Sequence, residues 1–154
     1  MTKKKLVLII SGVLLLIGVA ILLFLILSSK KIILDSDQFG SSEFIDISGE
    51  EYEKMSSEKK SFLVVVDQDG CITAAGMKKI AKEIMDEKNV KVYRIMFSDV
   101  REISMHDQVK HYPSFVIVEK GKIKAWLKAD ADEDTERYKN KEELKNWLDS
   151  YISW

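Results

Sequence analysis

The spacing of hydrophobic residues divides this chain into one long apolar run and a region where strand and helix periods alternate. Residues 6–27 form the run, which contains no charged residue. Beyond residue 43, short apolar or alternating segments are separated by stretches in which apolar residues recur every three to four positions. Short apolar or alternating segments are typical of β-strands, and apolar residues at every third or fourth position are typical of amphipathic helices. The pattern predicts an apolar N-terminal segment followed by a mixed α/β domain.

The region from residue 44 onward is predicted to alternate strands with helices. Residues 62–66 are continuously apolar and rich in β-branched side chains, which favours a central strand covered on both faces. Ser48 and Glu51 have the spacing of a capping box and indicate a helix start. Lys120-Gly121 lies between two strand patterns and indicates a hairpin. The predicted strands are residues 44–47, 62–66, 90–97, 114–119 and 123–127, and the predicted helices are residues 48–55, 71–88, 98–110 and 141–153.

Each of the two long predicted helices has an apolar face that we expect to pack against the sheet. In residues 71–88 this face consists of Ile72, Ala75, Ile80 and Ile84, to which Met77 and Met85 can be added. In residues 141–153 it consists of Leu144, Trp147, Leu148, Tyr151 and Ile152.

The apolar run predicts a membrane anchor. About 20 apolar residues cross a bilayer as a helix, whereas a cleavable signal peptide has an apolar core of about 7–15 residues and small residues before the cut. We therefore expect a single-pass signal anchor at residues 6–27. Residues 1–5, with three lysines, would be a cytoplasmic tail. Residues 28–43 would be a polar linker, and residues 44–154 would form the domain outside the cytoplasm at the cell membrane.

Charge argues against a nucleic-acid partner. Five of the 24 basic residues precede residue 32 and no acidic residue does, so the remaining chain has 19 basic and 25 acidic residues. A net charge of −6 also disfavours tight adhesion to anionic lipid. We expect the partners to be the bilayer, through residues 6–27, and an exported peptide or membrane protein.

Cys71 is the only cysteine and the first candidate for chemistry. A single cysteine cannot form an internal disulfide. At the predicted helix start, free backbone N–H groups and the helix dipole would stabilise a thiolate, which makes Cys71 a candidate nucleophile. The alternative is that Cys71 is an inert, small apolar residue at the start of the helix.

Tyr112 and Pro113 are the second candidate, because the only proline of the chain immediately precedes a predicted strand. The alternative is a trans-proline that simply opens an edge strand. His111 lies two residues before the proline, where it could help to hold a thiolate or could be a solvated surface residue, as could His106.

No metal or cofactor is predicted. The two histidines and Cys71 do not have the spacing of a zinc site. Asp130, Asp132 and Asp134 resemble the start of a calcium loop, but the glycine and glutamate that such a loop needs are absent. We therefore expect a solvated acidic loop at residues 130–136.

Taken together, the segments Phe62–Ala74 and Tyr112–Gly121 resemble the thioredoxin superfamily over residues 44–154. The resemblance implies a thioredoxin-like fold, in which a central mixed sheet is flanked by helices. It also implies that Cys71 is the attacking thiol, that Pro113 follows a cis peptide bond beside it, and that Tyr112-Pro113 binds extended substrate. Tyr112 would then face the cysteine.

Three positions depart from the pattern of that superfamily. Ala74 lies where the second, resolving cysteine of Cys-x-x-Cys is expected. Gly70 replaces the aromatic residue that commonly precedes the first cysteine, and Val65 replaces a buried acidic residue. Whether the protein is an enzyme therefore stays open, and at most it would be a monothiol thiol-disulfide oxidoreductase.

Within the superfamily, the chain resembles the membrane-anchored bacteriocin transport accessory proteins of Gram-positive bacteria. The similarity includes the anchor and the segments Ile45–Tyr52 and Lys60–Val66. It implies a role near exported peptides. Two hypotheses follow. The protein could handle thiols or disulfides through Cys71, or it could be a redox-inactive binding module or structural subunit of a membrane export complex.

Overall fold

The computed structural model describes residues 12–13, 15–19 and 30–154. The chain divides into two compact units, Met1–Lys31 and Ile32–Trp154. In the first unit, residues 12–13 and 15–19 are helical. Most of the predicted anchor, residues 6–27, lies outside the described residues. Among those that are described, no helix has the length and apolarity needed to cross a bilayer.

The strands of the second unit are β1 (Ile32–Ile33), β2 (Phe44–Asp46), β3 (Phe62–Asp67), β4 (Val92–Met96), β5 (Ser114–Glu119), β6 (Lys122–Trp126) and β7 (Ile152–Ser153); the helices are α1 (Gly49–Ser57), α2 (Ile72–Lys88), α3 (Phe97–Val100) and α4 (Lys141–Tyr151). Five of the strands form a mixed sheet with the order β2-β4-β3-β5-β6. Strands β2, β4 and β3 are parallel, and β5 and β6 are antiparallel to their neighbours. The chain order of these five strands and of the four helices is the one predicted from the spacing, whereas β1 and β7 were not predicted.

Strand β3 is the centre of the domain, and all six of its residues are buried. Leu63 and Val65 contribute to an apolar cluster with α2 and α4. Phe62, Val64 and Val66 alternate with them and contribute to a second cluster, which includes residues of α1 and α3. Successive side chains of a strand point to opposite faces, so a strand covered on both faces is apolar throughout. This confirms the prediction of a central strand.

The buried face of α2 agrees with the expected one only in part, since Met77, Ile84 and Met85 are buried as predicted. Ile72 is 89% exposed and Ala75 is also exposed, whereas the helix turns a different stripe toward the sheet. The buried residues are Ala74, Met77, Ala81, Ile84 and Met85. These positions recur every three to four residues as a helix requires, and Ile72 and Ala75 lie on the other side of the helix.

The domain begins earlier than the expected residue 44. Ile32 and Leu34 are almost fully buried, and β1 pairs in parallel with β7 at the end of the chain. The C-terminal helix accordingly stops at Tyr151, two residues short of the prediction, because Ile152 leaves it to pair with Ile32. Residues 32–39 therefore belong to the domain instead of to a linker.

The segment predicted as one helix over residues 98–110 forms two short pieces. Phe97–Val100 is α3, and Ser104–Asp107 is a separate 3₁₀ turn. Met105 and Val109 are fully buried here, so these two residues anchor an irregular connection to the sheet.

The capping box at the start of α1 is confirmed. The Ser48 hydroxyl accepts a hydrogen bond from the Glu51 N–H at 3.2 Å, and the Ser48 N–H donates to the Glu51 carboxylate at 2.7 Å. These bonds hold the pKa of Glu51 below its usual range.

We expect Ser48→Ala to lower the free energy of unfolding by about 1 kcal/mol, because the helix N-terminus loses its capping hydroxyl. Urea denaturation of the full-length chain measures this, and Ser57→Ala at the other end of α1 should change it by much less.

Candidate functional site

Cys71 is the N-cap residue of α2, as predicted. Strand β3 ends at Asp67, and the turn that follows reaches Gly70, whose φ of +72° is favourable only for glycine. The Cys71 carbonyl accepts the first helical hydrogen bond, from the Ala75 N–H at 3.1 Å, and the Cys71 side chain makes no capping hydrogen bond. The thiol is half-buried and lines a cleft of about 250 Å³. It is therefore placed at the positive end of a helix and is open to a partner molecule.

Pro113 lies at the same end of the sheet. The Tyr112–Pro113 peptide bond is cis, as the resemblance implied. In the antiparallel pair of β3 and β5, Val66 is opposite Ser114, so the residue before Ser114 lies beside the end of β3. The structure thus brings the cysteine loop and the proline loop to one edge of the sheet.

The Tyr112 side chain contacts groups other than the thiol. Its ring packs on Phe97 with 4.5 Å between centroids. Its hydroxyl donates to the Val109 carbonyl and lies 3.1 Å from His106 Nδ1. Burial raises the pKa of Tyr112. We expected Tyr112 to face the cysteine, but its side chain holds the proline loop against α3 instead.

Sequence reasoning missed an ion pair at the end of β3, whose lysine lines the Cys71 cleft. The Asp67 side chain is only 3% exposed and pairs with Lys78, which lines the same cleft as Cys71. Asp67 Oδ1 accepts a hydrogen bond from the Gln68 N–H at 2.9 Å. Arg94 Nη1 lies 3.8 Å from Asp67 Oδ2. The signal in the sequence is a lone aspartate at the end of an otherwise apolar strand. The resemblance places the buried acidic residue at the position of Val65, two residues earlier. The pair places a cation about two helical turns from the thiol.

Ala74 is 1% exposed and lies one turn into α2. It is the position at which the resemblance predicts a second thiol, and only a buried methyl group is present there. Since Cys71 is the only cysteine of the chain, a disulfide formed at this site has to be shared with another molecule. Cys71 can form a mixed disulfide with a partner, but the chain has no second thiol that could break this bond.

The proline loop is held from the other side by Tyr138. Its hydroxyl donates to the Pro113 carbonyl at 2.8 Å, and both residues are buried. Tyr138 ends the 3₁₀ segment Asp132–Tyr138, which includes most of the predicted acidic loop. We expected this loop to be solvated, but Asp134 is 4% exposed. Asp134 accepts from the Lys128 N–H at 2.7 Å and pairs with Arg137, so the loop is a structural support for the site.

The histidines do not converge on Cys71. His111 Nδ1 lies 3.3 Å from the Asp130 carboxylate, and both side chains are about half exposed. His106 contacts Tyr112 through its Nδ1 atom. Within residues 30–154 and the short described helical stretch before them, no group of three or more metal-ligating side chains is present.

Alkaline pH is expected to destabilise the domain through Tyr138. Burial, with Asp134 and Asp130 nearby, raises the pKa of Tyr138 well above its ordinary value of about 10. The unfolded chain loses this proton first, so the contribution to stability is complete below pH of about 10 and falls above it. Tyr138→Phe should lower the free energy of unfolding at pH 7 by about 1–3 kcal/mol, because the buried Pro113 carbonyl loses its donor. It should also make the decline above pH 10 shallower. Urea denaturation across pH 7 to about 11 tests both effects, and an unchanged slope would contradict the assignment.

Comparison with solved structures identifies the class of fold. The chain is similar to a mutant thioredoxin from Halobacterium salinarum NRC-1, with a TM-score of 0.56 and 16% identity over 75% of this chain and 96% of that one. It is also similar to the oxidised thioredoxin of Plasmodium falciparum, with a TM-score of 0.54 and 15% identity over 71% of this chain and 99% of that one. A mutant thioredoxin of Entamoeba histolytica gives a TM-score of 0.50 and 16% identity over 70% and 98% of the two chains.

The protein therefore has a thioredoxin-like fold, as the sequence predicted. No protein-family model matches the chain, and no curated protein matches it. At these identities the likeness establishes the fold alone. The function has to be argued from the residues at the site.

Proposed function

We propose that this protein is a membrane-anchored, extracytoplasmic accessory protein that handles thiols or disulfides of exported peptides through Cys71. The observation that carries the proposal is the position of the thiol. Cys71 is half-buried at the N-terminus of α2, at the same edge of the sheet as the cis-proline loop. A helix N-terminus favours a thiolate, and the adjacent loop offers backbone to an extended peptide.

The reaction that this site supports is a single thiol–disulfide exchange. The Cys71 thiolate attacks one sulfur of a partner disulfide, the Cys71–partner disulfide forms, and the other sulfur leaves as a thiolate. Ala74 has no thiol to complete a second exchange. Release therefore needs an external thiol, either a small-molecule thiol or a separate reductase, which attacks the mixed disulfide and frees Cys71.

The cellular setting rests on the sequence. Residues 6–27 are long enough and apolar enough for an anchor, and the lysines that precede them favour a cytoplasmic N-terminus. The sequence resemblance to bacteriocin transport accessory proteins is the reason for proposing exported peptides as partners. The net charge of −6 beyond residue 31 supports a role without nucleic acid.

The alkylation rate of Cys71 tests the proposal. We expect iodoacetamide at pH 7 to label Cys71 in the full-length chain faster than it labels free cysteine, because the thiol lies in an open cleft at a helix N-terminus. Cys71→Ser is the blank. Labelling at or below the rate of free cysteine would refute thiol chemistry and favour the redox-inactive binding module.

A further inference from the structure

A second concave surface lies beside the cysteine, on the outward side of α2. It is a groove of about 490 Å³ between this helix and the end of the 3₁₀ segment at Tyr138. Ile72, Gly76 and Ile80 line it from the helix, and Tyr138 lines it from the other side. We refer to this groove as the α2 groove. Ile72 also lines the cleft that contains Cys71, so this one side chain borders both concavities.

The α2 groove exposes apolar surface that the fold does not use. Ile72 directly follows Cys71 and is 89% exposed. A single exposed apolar residue is ordinary on a protein surface. Here, however, the side chain borders the reactive cleft, and the apolar surface continues to Ile80, which is half-buried at the edge of the core. An apolar occupant would remove this surface from water, which is favourable.

Gly76 keeps one position on the helix side of the groove free of a side chain. A Cβ atom at this position would meet nothing within 4 Å, so no packing in the described structure requires glycine. Glycine inside a helix costs about 0.5–1 kcal/mol relative to alanine. The residue makes space along the helix between Ile72 and Ile80, which are about 12 Å apart along the helix axis at about 1.5 Å per residue. An extended peptide of about four residues has the same length.

The rim of the groove is positively charged. Lys79 and Lys139 line it, and neither is within ion-pair distance of a carboxylate in the described part of the chain. The one acidic residue of the rim, Glu83, lies 3.9 Å from the Lys141 amine. The rim therefore presents two cations without carboxylate partners, in a domain whose net charge is negative.

We propose that the α2 groove binds the peptide that Cys71 engages, and that it selects an extended segment with an apolar side chain flanked by carboxylates. The apolar side chain would contact Ile72, Ile80 and the ring of Tyr138, and the carboxylates would lie near Lys79 and Lys139. This inference rests on the proposed function for the thiol step, but binding in the groove itself needs no thiol. It names the class of partner, an acidic and apolar exported peptide, that the proposed function leaves open.

Binding is tested without the thiol, on full-length Cys71→Ser in nonionic detergent. The probes are two fluorescein-labelled peptides, Glu-Leu-Ser-Leu-Glu and Lys-Leu-Ser-Leu-Lys, and the readout is fluorescence anisotropy at low ionic strength. We expect the acidic peptide to bind at least about tenfold more tightly than the basic one. Lys79→Glu with Lys139→Glu should reverse this order. The same charge change at the opposite end of the sheet, Lys120→Glu with Lys122→Glu, should leave it in place.

The thiol step is tested with the same peptides containing cysteine in place of serine, each activated as a mixed disulfide with thionitrobenzoate. Release of thionitrobenzoate by the wild-type chain should be at least about tenfold faster with the acidic peptide. Ile72→Ser should slow this reaction several-fold, and by a larger factor than it slows the reaction with a small neutral disulfide.

The outcomes separate the two proposals. Equal binding of both peptides, or a preference that survives the change at Lys79 and Lys139, would overturn the α2 groove as a recognition site whatever the thiol does. Selective binding together with no release of thionitrobenzoate from any peptide would support the groove and refute the proposed thiol chemistry.

Discussion

Ala74→Cys is expected to convert this single-thiol protein into one that forms an internal disulfide. Residue 74 lies three positions after the N-cap residue Cys71, and side chains at this helical spacing are about 5–6 Å apart at Cβ. A disulfide needs about 3.5–4.5 Å, which the extended conformation of Cys71, with φ of −85° and ψ of +116°, allows with a small adjustment. After mild oxidation the variant should have no free thiol, whereas the wild-type chain keeps one. Its reduction of insulin disulfides should exceed that of the wild type at least about tenfold, because the second thiol releases the mixed disulfide.

A matched control separates geometry from the mere presence of a second thiol. Ala81→Cys introduces the same sulfur at another buried position of α2, about three turns from Cys71, where no bridge can form. Both variants add a sulfur atom to a packed core at a cost of about 1–3 kcal/mol in the free energy of unfolding. If Ala74→Cys formed only intermolecular disulfides on oxidation, like Ala81→Cys, the start of α2 would lack the geometry of a dithiol site. The substitution at residue 74 would then not be what limits turnover.

Gly121→Ala is expected to destabilise the domain more than Ser48→Ala or Tyr138→Phe, by about 3–5 kcal/mol in the free energy of unfolding. Gly121 lies in the turn between β5 and β6 and has φ of +75°. A Cβ atom there would lie 2.0 Å from the Ser56 carbonyl oxygen, which is backbone in the last turn of α1 and cannot rotate away. The Gly121 N–H also donates to the Lys60 carbonyl at 2.7 Å, so relief of the collision would break this bond.

Gly40→Ala provides the control for backbone conformation. Gly40 also has a positive φ, +94°, but a Cβ atom there would meet nothing within 4 Å. It should therefore show the conformational cost alone, about 1 kcal/mol. Urea denaturation of both full-length variants, followed by tryptophan fluorescence, gives the difference between them. Equal destabilisation would mean that the turn can move away from α1, which would contradict the close packing of these two elements.

The site has a single cysteine at a helix N-terminus and a cis-proline loop at the same end of the sheet. The buried carboxylate is Asp67 at the last position of β3, paired with Lys78. The single thiol is the basis for the proposal that the protein holds a partner through one covalent bond. The proposed α2 groove would then supply the recognition of that partner.

Much of the fold was predictable because its signals are local. The continuous apolar character of β3, the capping box at Ser48 and the turn at Lys120-Gly121 depend on residues adjacent in sequence. Local backbone preferences act on such signals directly. The position of Cys71 at the start of α2 was predictable for the same reason, since the change from strand to helix spacing occurs at this residue.

The sequence by itself determined the order of strands β2–β6 and helices α1–α4, the position of the single thiol and the absence of a second one. Only the tertiary structure decided which face of α2 is buried, because Ile72 and Ala74 are both apolar and the packing of the sheet selects between them. It also decided the contacts of Tyr138 with Pro113 and of Ile32 with Ile152, which join residues far apart in the chain. The spacing of apolar residues is a property of neighbours in sequence, whereas these pairings depend on how the elements pack against one another, which no local pattern encodes.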